Sequence, residues 1–273
     1  MSDVRWSNRK PRRPQLLAAL PLAALAAVYL IGSSLRLAAN PGDKLMPPLS
    51  AMVATWSEMA LHEDARTGSV LFWVDTSTSL ARLGTAVVIA ASSALVGGLL
   101  LGMMPYAEAT FGPVVTALSM IPALAVLPIL FIVFFVDELS KVVLIILGVL
   151  PFMIRDLSQR VREIPEEQRI KARTLGASGL QLCTRVILPQ IVPRLIDSQR
   201  LSLGPAWLFL ISAEAISAAS GLGYRIFLVR RYMAMDVILP YVAWITLLAF
   251  SFDYALRTLR RRRYPWVDAE GAG

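Results

Sequence analysis

Between Arg82 and Glu108 the chain runs for 25 residues without a charge, and between Glu108 and Asp137 for another 28. A helix needs about 20 apolar residues to cross the hydrocarbon of a bilayer, so each tract is long enough for a span. A water-soluble alternative would have to bury both tracts inside one domain. Yet only 17% of the 273 residues are charged and 56% are hydrophobic, whereas an ordinary soluble domain clothes its surface with about 25% charge. The apolar surface must face something other than water, and two spans follow, with their turn in the region 102–112.

Four further spans are read from the remaining pattern. Residues 14–35 are uncharged and follow Arg5, Arg9, Lys10, Arg12 and Arg13. This start resembles a signal peptide, but the apolar stretch exceeds the roughly 7 to 15 residues of a secretory h-region and no convincing cleavage site follows, so it reads as a retained first span. Val142–Ile154 supplies 13 uncharged residues and becomes long enough when Leu139 to Lys141 and the start of the next basic stretch are added, with Lys141 and Arg155 placing their charges near opposite interfaces. The fifth span is expected near Leu201–Ala219 and the sixth near Asp236–Leu256. The fold class is all-α, a polytopic helical membrane protein of about six transmembrane helices. A count of five would place the termini on opposite sides.

The formal charge of +8 raises a nucleic-acid partner, and the position of the charges sets that aside. Basic residues gather at Arg5–Arg13, across Arg155–Arg200 and at Arg257–Arg263, all bordering apolar tracts as topogenic charges do. With six spans these three regions share the cytoplasmic face. Arg225, Arg230 and Arg231 in an outer loop, and the lack of a basic residue near Glu108, are short-loop exceptions to that bias. No nucleic-acid-binding pattern accompanies the charges. The single cysteine, Cys183, excludes an internal disulfide, and the single histidine, His62, cannot supply a histidine cluster for a metal. His62, Glu63 and Asp64 read as solvent-facing. No catalytic constellation and no phosphate-binding GxxxxGK[ST] loop is present, so the chain is expected to be neither an enzyme nor a nucleotide binder and to carry no cofactor.

The segments between spans carry the organisation. Pro41, Gly42, Pro47 and Pro48 end the first helix, and Leu49–Met59 is expected to form a short helix at the outer surface. Pro122 and Pro128 interrupt the apolar tract Ser119–Phe135, a pattern found both in packed membrane helices and in those lining a transport path. SAASGLG at 217–223 suits close packing or a tight outer-end turn. Residues 155–200 hold nine Arg and Lys against five acids, with Ile164, Ile170, Leu175 and Leu180 interleaved. Pro165 suits a helix start, Glu166 and Glu167 favour its first-turn dipole, and Gly176 and Gly179 provide breaks. Such a segment is either an inert amphipathic surface helix or a docking element.

The stretch IKARTLGASGLQLCTRVILPQIVP resembles the cytoplasmic EAA loop of permeases in bacterial ATP-binding-cassette importers. The wider pattern, from LMPPLSAMVATW through MIPALAVLPILFIVFFVDELSK to RLSLGPAWLFLISAEAISAASGLGY, is similar to the nitrate, sulfonate and taurine-type permease family. On that resemblance Ile170, Lys171 and Ala172 occupy the opening triplet, Gly176 the glycine, Val186 the later aliphatic position, and Leu188 and Pro189 the ending, with Pro189 stopping the helix. Ile170 stands where the family has an acid and Lys171 where it has a small residue. Glu166, Glu167, Arg173, Leu175 and Ala177 complete the segment expected to couple to an ATPase.

The resemblance implies a permease homodimer in the bacterial inner membrane with both termini cytoplasmic, two cytoplasmic ATP-binding subunits, an external or periplasmic substrate-binding protein, and surrounding membrane lipid that the basic residues near 160–173 also meet. It implies a basic tail at 1–14, a membrane domain at 15–256 with an outer loop at 38–82 and a coupling loop at 156–200, and a second basic tail at 257–273. The cargo implied is nitrate, an aliphatic sulfonate or taurine. Met120, Pro122, Ala123, Pro128, Glu214, Ser217 and Ser220 are candidates for the translocation path, because helix breaks and polar atoms within spans are tolerated where they face protein or a cavity. A non-transporting membrane anchor or assembly subunit is the alternative function.

Overall fold

A computed structural model describes residues 14–40, 42–63 and 68–267. The basic residues at 5–13, Asp64 and the last six residues lie outside them. The described chain is helical throughout: α1 (Pro14–Ala39), α2 (Leu49–Leu61), α3 (Leu71–Met103), α4 (Pro105–Met120), α5 (Ala123–Phe134), α6 (Glu138–Arg162), α7 (Glu166–Thr174), α8 (Gly179–Leu182), a π turn (Cys183–Ile187), α9 (Leu188–Ser217), α10 (Leu222–Arg230) and α11 (Met235–Arg263).

Among the described residues α3, α6 and α11 are each long and apolar enough to cross a membrane, and two bent helix pairs bring the number to as many as five. A count of six is reached only by adding α1, whose described apolar part, Ala23–Ala39, is shorter. Several boundaries differ from the sequence reading, and α6 and α9 both extend into the coupling loop expected at 156–200, which shortens to the segment between Arg162 and Leu188. Helix α3 begins at Leu71, inside the expected outer loop 38–82, and runs through Asp75 and Arg82, because both charges are buried and paired with other helices. The expected turn at 102–112 shrinks to one extended residue, Met104, with Pro105 opening the next helix.

The 28-residue tract is not one straight span. Helices α4 and α5 meet at a 98° bend. The ring of Pro122 excludes the helical conformation from the residue before it, and Ile121 is extended at φ −72°, ψ 123°. Pro113 and Pro128, by contrast, stay inside their helices.

Helices α3, α6 and α9 form the centre, held at close range by glycines. Gly98 and Gly102, one turn apart on α3, lie against Leu157, Ser158 and Val161 of α6, and a methyl group at position 98 would stand 2.6 Å from Leu157 Cβ. Without a water-driven hydrophobic effect between spans, such small-residue approaches let dispersion contacts accumulate. Gly148 of α6 lies directly under the Phe209 ring of α9, where any Cβ would overlap the ring. Gly148→Val should therefore destabilise the purified protein by about 1–3 kcal/mol through overpacking. A thermal melt equal to wild type would show that α6 and α9 separate freely at this point.

Helix α2 belongs to the bundle as well as to its surface. Phe72 is fully buried and meets Trp56, Trp73, Tyr241 and Trp244 at centroid distances of 5.3 to 6.2 Å, joining α2, α3 and α11. His62 and Glu63 at the end of α2 are exposed as expected. In the loop before α2, the Leu45 N–H and then the Arg36 guanidinium hold the Asp43 carboxyl below the usual carboxylate range. Helix α11 is fixed to α9 by Arg200 to Asp253 at 2.8 Å and Arg260 to Asp197 at 2.8 Å.

Candidate functional site

Two features at opposite ends of the central helices bear on function. The first is the protrusion between α6 and α9. Pro165 caps α7, and Glu166 and Glu167 occupy its first turn as expected. The helix ends in a Schellman turn: the Gly176 N–H donates to Arg173 O at 2.9 Å and the Ala177 N–H to Ala172 O at 3.0 Å. Closing that turn requires the left-handed region at Gly176, whose φ is +81°. Ser178 then starts α8 with a capping box to Gln181.

The expected coupling residues divide by exposure. Glu166, Glu167, Ile170, Lys171, Arg173, Leu175 and Gly176 face outward, with Leu175 at 88% and Leu180 at 74% exposed. Ala172 and Val186 instead pack against the main core and anchor the protrusion. Gln190 donates to Gln168 at 3.0 Å, and Arg169 donates to the Val161 carbonyl, tying α7 back to α9 and α6. Apolar side chains held out on a braced element form a surface fit for a protein partner.

Pro189 does not stop a helix here, contrary to the sequence expectation. It lies in the first turn of α9, and α8, the π turn and α9 run on as one helical path over Gly179–Ser217. The Leu188 N–H donates to Cys183 O, five residues back. That widened turn makes room for a proline that has no N–H of its own and would crowd a regular helix.

The second feature lies at the other end, where α9 turns into α10. Glu214 is fully buried, and its carboxylate accepts from Ser79 Oγ at 2.7 Å, Arg82 Nη1 at 2.8 Å and the Gly223 N–H at 2.8 Å. Asp75 accepts from the Gly221 N–H at 2.9 Å and from Arg225 at 2.7 Å, and Ser79 accepts from the Leu222 N–H at 2.9 Å. Carboxylates and a hydroxyl from α3 and α9 thus satisfy the free donors that open α10. Gly221, at φ +128°, allows the approach, since a Cβ there would lie 2.6 Å from the Glu214 carboxyl. Arg82 also donates to the Ser220 carbonyl at 2.8 Å and to Glu138, which Lys141 reaches at 2.9 Å. Lys141, expected near an interface, is almost fully buried on this carboxylate.

Of the path candidates, Glu214 belongs to this network and Ser220 contributes only its carbonyl. Ser217 bonds back to the Ala213 carbonyl at 3.2 Å. Ala123 is buried in a small cluster with Leu127, Leu130, Leu144 and Ala213, which sets the α5 start beside the residue preceding Glu214. Met120, Pro122 and Pro128 are exposed on the α4 and α5 elbow. Sequence reasoning missed Asp75, Ser79, Arg82, Glu138, Lys141 and Arg225. The signal was there in part, because Asp75, Ser79 and Arg82 are spaced to share one helix face within a membrane segment. Among the described residues no group of three or more His, Cys, Asp or Glu is placed to hold a metal.

Residues 81–264 match the family model of the binding-protein-dependent transport system inner membrane component. The chain belongs to this family. It is 32% identical over 194 residues to the taurine transport system permease protein TauC of Escherichia coli (strain K12), covering 71% of this chain and 70% of the relative. It is 25% identical over 217 residues to the nitrate import permease protein NrtB of Synechococcus elongatus, covering 79% and 78%. Its fold is that of a chain of the inward-facing MetNI methionine ABC transporter, with a TM-score of 0.62 and 20% identity over 70% of this chain and 95% of that one. The protein is thus a multi-pass inner-membrane component, the permease of an ATP-binding-cassette importer, and ATP hydrolysis lies on separate subunits.

Proposed function

We propose that two copies of this chain form the membrane pathway of an ATP-driven importer for a small oxyanion, such as nitrate, an aliphatic sulfonate or taurine. In this reading two cytoplasmic ATP-binding subunits dock on α7 and α8, and an external binding protein delivers the cargo to the opposite end. The observation that carries it is the braced protrusion of α7, Gly176 and α8, with Ile170, Leu175 and Leu180 exposed, within a chain of this family. The cargo class follows the names of TauC and NrtB.

Both termini and the protrusion then lie in the cytoplasm, in keeping with the bias of Arg and Lys toward that face. Closure of the ATP-binding subunits would press on α7 and α8. The unbroken helical path from Gly179 to Ser217 supplies a lever from the docking surface to Glu214 at the other end. The chemical energy acts only if docking strength differs between the two access states.

Reconstituted vesicles holding the permease, its ATP-binding subunits and its capture protein should accumulate one labelled oxyanion from a panel of nitrate, taurine and alkanesulfonates, and only with ATP inside the compartment of the ATPases. A correctly assembled complex that binds its partners but moves none of the panel would favour an anchor or assembly role.

A further inference from the structure

Arg82 and Lys141 are a pair of cationic side chains turned into the protein rather than out of it. Their side chains are 4% and 3% exposed, and both end on one carboxylate, Glu138, which is 57% exposed. Long basic side chains near a helix end ordinarily carry their charge toward water. Here the cations are sequestered and the acid is the rim.

The hydrogen bonds of Arg82 divide in the same sense. Nη1 is spent inward on Glu214 and the Ser220 carbonyl, both at 2.8 Å. The other edge of the guanidinium, Nε with Nη2, is turned to the two oxygens of Glu138, and Lys141 Nζ adds a bond of 2.9 Å to the same carboxylate. A guanidinium edge donating two parallel bonds fits any planar or tetrahedral oxyanion as well as it fits a carboxylate. The ammonium beside it adds a second charge without geometric demand.

We propose that Arg82 and Lys141 form an oxyanion-accepting site at the outward end of the bundle, and that Glu138 is its tethered occupant, displaced when a free oxyanion enters. The proposal deepens the import reading above and rests on it for the outward orientation of this end. Exchange of one anion for another keeps both buried cations paired, so it avoids the cost of an uncompensated buried charge. The displaced Glu138 returns to water from a position that is already 57% exposed.

Displacement also has a mechanical consequence. Glu138 is the first residue of α6, with its own N–H capped by Asp137 at 2.7 Å, and through Arg82 it fastens that turn to α3. An oxyanion bound to Arg82 and Lys141 still bridges α3 to α6, but through Lys141 in place of Glu138, so the covalently tethered link at the start of α6 becomes an exchangeable one.

The test uses the permease assembled with its ATP-binding subunits in lipid nanodiscs, without capture protein, titrated calorimetrically with methanesulfonate and with nitrate at constant ionic strength. Glu138→Gln keeps the size of the side chain but cannot compete as an anion, and should tighten binding about tenfold or more, the effect of about 1.4 kcal/mol. Adding Lys141→Met to Glu138→Gln should reverse most of that gain. Glu138→Asp, which preserves charge but shortens the tether, should tighten binding in the same direction and serves if the Gln variant does not assemble. An assembled Glu138→Gln or Glu138→Asp complex whose oxyanion affinity equals wild type overturns the site, as does a gain that survives Lys141→Met. Import in vesicles is read separately. Oxyanion import with unchanged binding would reject this site alone, whereas tightened binding without oxyanion import would reject the cargo assignment alone.

Discussion

Arg82→Leu is expected to destabilise the permease by about 3–5 kcal/mol, the scale on which removing one partner of a buried pair leaves the other charge uncompensated. Among the described residues Glu214 has no other cationic partner, since Ser79 and Gly223 supply neutral donors. The Ser220 carbonyl would lose its donor as well, leaving the α9 to α10 bend held to α3 by Asp75 and Ser79 alone. Thermal melting of the protein in detergent should fall by several degrees, with a matching loss of yield from membranes. The double variant Arg82→Leu/Glu214→Leu should recover a large part of the loss, because no buried charge then lacks a partner. A single variant that melts with the wild type would mean that water reaches Glu214, and the network would not be a dry structural unit.

The same residues explain where sequence reading stopped. Uncharged tracts identify spans because lipid offers nothing to a bare charge, and the tract after Arg82 is helical as that rule expects. The rule also places the helix start twelve residues late, since it treats every charge as a boundary. Asp75 and Arg82 are tolerated inside α3 because their partners, Arg225 and Glu214, arrive from 150 and 132 residues further along the chain. No local pattern contains that information. What a local pattern did contain was the spacing of Asp75, Ser79 and Arg82 on one face, and the pair Gly98 and Gly102 one turn apart, both of which mark a surface that meets another helix.

Prolines were equally divided. Pro122 and Pro128 are alike in sequence, but only Pro122 sits at the 98° bend. The difference lies in packing: Ala123, Leu127 and Leu130 on one face of α5 bury themselves against Leu144 of α6 and Ala213 of α9, which keeps the helix on both sides of Pro128 aligned. Pro189, expected to stop a helix, lies inside a helical path because the chain inserts a π turn just ahead of it. The glycine break at Gly176 was legible for a simpler reason. A left-handed residue closing a helix is a strictly local requirement, and glycine meets it without steric cost.

That local requirement sets up the second large effect. Gly176→Val should insert and assemble normally yet lose about tenfold in ATP-driven import. A Cβ at this position would meet nothing within 4 Å, so side-chain crowding is not the defect. The defect is the backbone: φ of +81° is costly for a residue with a Cβ, by roughly 1–2 kcal/mol and more when the side chain is β-branched. The turn can relieve this only by giving up the bonds from Gly176 and Ala177 to Arg173 and Ala172, which hold Ile170 and Leu175 in their relation to α8. A loosened docking surface transmits less of the force applied to it, while ATP hydrolysis by the partner subunits continues. Gly176→Asn separates this account from a general intolerance, because asparagine enters the left-handed region far more readily and should retain most of the import. Import by the Val variant at the wild-type rate, or an equal loss in Asn and Val, would place the role of Gly176 elsewhere than in its turn.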